Sequence, residues 1–147
     1  MGRHSNKKWD GPTIREMRAY LGLSQTQFSK KFGIPLRTIV SWEAAENISS
    51  GHHRRPPDYI YKLLSDIVYC KQSPQIQTPL DRLHFCSIRA ALGWTQAKFS
   101  EHFLLNKSTL GRWEAFERCG ARGYGTRPSG YVYKLFYWAL YGHPYEE

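Results

Sequence analysis

A chain of 147 residues with 41% hydrophobic and 15% aromatic residues can build one ordinary core or two very small ones, each half of about 70 residues being marginal alone. The formal charge of +9 and isoelectric point near 9.6 point to a polyanionic partner, nucleic acid first, and both halves on either side of Pro74 are positive. No apolar run approaches the ~20 residues of a membrane span, MGRHSNKKWDGP lacks a signal-peptide core and Asn6 breaks a myristoylation motif, so a cytoplasmic, nucleoid-associated protein with no membrane partner is expected.

In chain order, Ile14, Met17 and Leu21 share a helical face behind a Thr13/Glu16 capping box, which predicts a first helix ending near Gly22. SQTQFSKKFG carries a Ser24/Gln27 capping pattern, sets Phe28 and Phe32 one turn apart and stops at Gly33, which predicts a second helix of two turns. LRTIVSWE, entered near Pro35, spaces Ile39 and Trp42 for a short third helix. A fourth opens at Pro57 and buries Ile60, Leu63, Leu64 and Ile67. KQSPQIQTP is polar, proline-bearing and aperiodic, and reads as a linker.

The same plan then returns. LGLSQTQFSKKFGIPLRTIVSWEAA aligns without a gap on LGWTQAKFSEHFLLNKSTLGRWEAF at a constant spacing of 71 positions, pairing Arg18 with Arg89, Gln25 with Gln96, Phe32 with Phe103, Trp42 with Trp113 and Glu43 with Glu114. RPPDYIYKLL and RPSGYVYKLF match one position further apart, so one residue was inserted in the preceding loop. This is an internal duplication. In the second copy Thr78, Pro79 and Asp81 are expected to open the first helix, and Asn106 to cap the third. The domains expected are 1–71 and 80–147 with a linker at 72–79.

Two short helices joined by a tight turn and followed by Trp-Glu form a pattern with a mechanism. LSQTQFSKKFGIPLRTIVSWE and, more loosely, WTQAKFSEHFLLNKSTLGRWE resemble the lambda-repressor/Cro-like, or XRE, helix-turn-helix family. The resemblance covers most of both halves and implies an all-α fold of two tandem domains with four to five short helices each. It implies a recognition helix at 36–42 and again at 107–113 in the major groove of double-stranded DNA, with 25–32 and 96–103 crossing the phosphate backbone.

Carried over by position, Gln25 and Gln96 fall where the family places glutamine on phosphate and on the recognition helix; a capping or turn-stabilising glutamine explains them equally. Leu36, Arg37, Val40 and Ser41 would face the groove, with counterparts Lys107, Ser108, Gly111 and Arg112. Arg37 and Arg112 are the candidate base readers, since a guanidinium fork fits guanine O6 and N7 together, and phosphate contact alone is the competing role. Thr38, with Thr109, suits packing or phosphate, and Lys30 suits phosphate. The loops GHHRR and GARGYGTR bring Arg54, Arg55, Arg122 and Arg127 as arms for phosphate or minor groove, unless they are solvated surface loops. The second copy departs from the family where Leu104 replaces the turn glycine and Gly111 sits mid-helix, so it could position the first domain or read with relaxed specificity.

In SGYVYKLFYWALYGHPY, Val132, Leu135 and Ala139 are expected inward, leaving some of Tyr133, Phe136, Tyr137, Trp138 and Tyr141 for an interdomain or homodimer contact. Cys70, Cys86 and Cys119 form no C-x-x-C pair and read as reduced structural thiols. The histidines lack zinc spacing and no hydrolase, Walker or H-E-x-x-H motif occurs, so neither cofactor, metal nor enzymatic activity is expected. The expected function is a sequence-specific duplex DNA-binding transcriptional regulator, a repressor. The alternative is the same scaffold binding a protein partner, as in antitoxins or phage inhibitors of nucleic-acid-binding defence enzymes.

Overall fold

The computed structural model describes residues 9–47, 54–70, 84–119 and 125–144, and among these the chain is all-helical, with no strand. The first copy contributes α1 (Ile14–Leu21), α2 (Gln25–Phe32), α3 (Leu36–Asn47) and α4 (Asp58–Val68). The second contributes α5 (Phe85–Leu92), α6 (Gln96–Phe103), α7 (Lys107–Cys119) and α8 (Gly130–Tyr141). No described helix is long and apolar enough to cross a membrane. The chain divides into two compact units, Met1–Tyr61 and Lys62–Glu147, and the division falls inside α4. The expected linker at 72–79 lies outside the described residues, as do Thr78, Pro79, Asp81 and Arg122.

Local chemistry sets the ends of the helices. Thr13 and Glu16 bond each other's backbone at the start of α1, and Ser24 and Gln27 do the same for α2, so both capping boxes form as the sequence predicts. Asn106 Oδ1 accepts the Ser108 N–H at 2.9 Å and caps α7. Helix α3 runs to Asn47, past the LRTIVSWE stretch that predicted it, because Ala44, Ala45 and Glu46 are good helix formers and Glu43 and Glu46 are bonded to α1. The first helix of the second copy opens at Phe85 behind His84, which offers no side-chain cap.

In the first unit α1 and α2 pack against α3, and in the second α5 and α6 pack against α7. Ile14, Met17, Phe28 and Ile39 are completely buried, and so are Phe85, Ile88, Phe99, Phe103 and Leu110. Trp42 and Trp113 lie in the cores, as aromatics at helical spacing usually do. In α8, Val132, Leu135 and Ala139 face inward as expected. Of the five aromatics from which some surplus was expected, Phe136 is fully buried, with ring centroids 5.0 Å from Phe85, 5.5 Å from Phe99 and 5.0 Å from Phe103. Ring-to-ring packing absorbs more aromatic surface than the helical pattern alone suggests. Tyr137 and Tyr141 stay half-buried and stack on each other at 4.1 Å.

Candidate functional site

A carboxylate on the inner side of α3 fixes that helix. Arg18 of α1 donates from Nε and Nη2 to Glu43 at 2.7 and 2.9 Å, while its Nη1 bonds the Leu23 carbonyl at 2.9 Å. Gln25 at the start of α2 donates to the same carboxylate at 3.2 Å. The second copy repeats this arrangement: Arg89 reaches Glu114 at 2.7 and 2.8 Å and the Trp94 carbonyl at 2.9 Å, and Gln96 reaches Glu114 at 3.0 Å. Bidentate, charge-assisted bonds of this kind fix angle as well as distance. Each clamp therefore sets three helices against one another.

A second carboxylate, one turn further along, closes the assembly. Glu46 accepts the Ile14 N–H at 3.0 Å and the Tyr61 hydroxyl. Glu117 accepts the Phe85 and Cys86 N–H groups at 2.7 and 3.2 Å and the Tyr133 hydroxyl at 3.1 Å. An acid at a helix N-terminus satisfies free N–H groups and meets the positive end of the helix dipole, so Glu117 replaces the local cap that His84 does not supply. Burial pushes the Glu114 carboxyl up, but the bonds from Arg89 and Gln96 outweigh that and hold it below the usual range. Burial, with Glu114 and Glu117 nearby, pushes the Cys86 thiol up to about 11, so it stays protonated and inert at neutral pH.

With the inner face occupied, the outer face of α3 is left to solvent. Leu36 is 41% and Val40 44% exposed, and Arg37 is exposed between them in sequence. Thr38 and Ser41 are half-buried. Arg37, Thr38, Ser41, Trp42 and Arg54 line an open concavity of about 510 Å³, so two guanidinium-bearing residues border one hollow. On α7, Lys107, Ser108 and Arg112 are exposed, and Gly111 faces open space where a Cβ would meet nothing.

The remaining candidates separate by environment. Lys30 is exposed in the last turn of α2. The Gln25 and Gln96 amides are turned onto the clamps. The Ser108 hydroxyl donates to Asn106 Oδ1 at 2.7 Å and so belongs to the cap. Arg55 lies over the Tyr61 ring at 5.5 Å and donates to its hydroxyl at 3.4 Å. Arg127 is exposed near Tyr133, whose ionisation its charge favours against burial and Glu117. Sequence reasoning did not assign Arg18, Glu43 and Glu46 or their counterparts to the site, although their identity in both copies was the signal that could have found them.

Cys70, Cys86 and Cys119 are free thiols, and no three metal-binding side chains converge among the described residues. In comparisons with known proteins, no family model, curated protein or solved structure matches the chain.

Proposed function

We propose that the chain is a sequence-specific double-stranded DNA-binding transcriptional regulator of the cytoplasm, a repressor, built from two tandem helix-turn-helix units of the lambda-repressor/Cro type. The observation that carries this reading is the division of α3 and α7 into two faces. Their inner faces are clamped through Glu43 and Glu114, and their outer faces present Arg37 and Arg112 to solvent. A rigid helix bearing an exposed guanidinium suits base reading, because a misaligned fork loses its bidentate fit to guanine. The net charge of +9 supplies the sequence-independent attraction to phosphate.

In this reading α2 and α6 cross the backbone while α3 and α7 enter the major groove, and two heads on one face of the duplex would lie about 34 Å apart. Selection from a random duplex library at near-physiological salt, with the purified protein alone, tests it. A two-part motif spaced by about one helical turn is expected. A single half-site would leave α7 a supporting role, and no enrichment over random sequence would overturn the proposal in favour of a protein partner.

A further inference from the structure

We infer that α3, and not α7, recognises the 5-methyl groups of thymine, which makes one half of the bound site sensitive to pyrimidine methylation state and the other indifferent. The inference rests on the duplex-DNA reading above. Leu36 and Val40 are two of the four large apolar side chains exposed among the described residues, and they stand one helical turn apart on the same face. Two aliphatic groups on a convex helix form far too small a patch for a stable protein interface, which buries more than about 1,000 Å². Exposed Arg37 follows Leu36 on the same helix and, with Arg54, lines the concavity beside α3, so the helix that carries the apolar pair also carries cationic groups suited to a polyanion. In a DNA major groove the apolar feature of the base edges is the thymine methyl.

The duplicated helix lacks this equipment. Lys107 stands at the position of Leu36, and Gly111 stands at that of Val40, with open space where a side chain would be. Among the described residues α7 therefore offers charge and Arg112 but exposes no large apolar side chain, so its half of the site rests on hydrogen bonds and phosphate contact.

The experiment uses the full chain and the duplex selected from an unmodified library, in which thymine alone carries the methyl. Each thymine is replaced in turn by deoxyuridine, and affinity is measured. One or two positions, all in one half-site, should each weaken binding about fourfold, the equivalent of about 0.8 kcal/mol for one buried methyl. Val40→Ala should weaken the thymine duplex by a similar factor and abolish the deoxyuridine effect at one position, and Leu36→Ala should do so at the other. Both side chains are exposed, so neither change should unfold the protein. Indifference to every deoxyuridine, or full sensitivity in both variants, would overturn the inference while leaving duplex recognition intact. A library that yields no enriched duplex would overturn both.

Discussion

Leu104 holds a left-handed backbone at φ 58°, where the first copy has Gly33 at φ 70°. The turn between the paired helices demands this geometry, because the Leu105 N–H must reach the Ser100 carbonyl at 2.8 Å, as the Ile34 N–H reaches Ser29 at 3.1 Å. A side chain in that region costs roughly 1–2 kcal/mol, and Leu104 recovers little by burial because it is 44% exposed. Leu104→Gly should therefore raise the stability of the protein by roughly 0.5–1 kcal/mol after the added chain entropy of glycine is subtracted. A thermal melt checks it, and a lowered midpoint would mean that the Leu104 side chain is held by contacts stronger than its exposure suggests. That a leucine stands where the first copy has its turn glycine was legible in the sequence. That the turn would keep its shape was not, since a leucine there argues locally against it.

The clamp carboxylates act at the scale of whole elements, because each fastens an arginine 25 positions away and a glutamine 18 positions away. Helical periodicity displays which residues share a face of one helix, and so the cores of α1, α2 and α4 were readable from spacing. Bonds between side chains on different helices have no such period. The repeat alignment exposed Arg18, Gln25 and Glu43 with their counterparts but left their partnership unstated, and the Glu117 cap of α5 was invisible for the same reason.

The depressed Glu114 carboxyl gives this clamp a pH signature. Its contribution is complete above the ordinary carboxylate value of 4.5 and is lost as pH falls through the lower folded value. Glu114→Gln should cost about 2–3 kcal/mol at neutral pH, below the full penalty for a wholly buried pair because the Arg89 side chain keeps 23% exposure. It should also flatten the loss of stability below pH 4.5. Denaturant unfolding at pH 7 and at a series of pH values descending from 4.5 decides the matter, and parallel pH slopes for the two proteins would assign the acid sensitivity elsewhere.

For the whole molecule, the proposed duplex-DNA role would make separable demands on charge and specificity. Lys30, exposed in the last turn of α2, suits phosphate contact, whereas Arg37 suits base reading. Lys30→Ala should weaken selected and random duplexes alike and reduce the salt slope by about one phosphate contact, while Arg37→Ala should lose discrimination at one base position by about 1–3 kcal/mol. Affinity titrations over a range of salt on both duplexes distinguish the two. Equal losses on both duplexes for both variants would refute the division of roles.

The duplication keeps the clamp residues and the core tryptophan of α3 and replaces the four outward candidates: Leu36, Arg37, Val40 and Ser41 stand opposite Lys107, Ser108, Gly111 and Arg112 without one identity retained. Two identical heads related by symmetry cannot tell one end of their site from the other. Two unlike heads joined in a fixed order can, so a chain built this way would sit on its site in a single orientation and point along the DNA like an arrow.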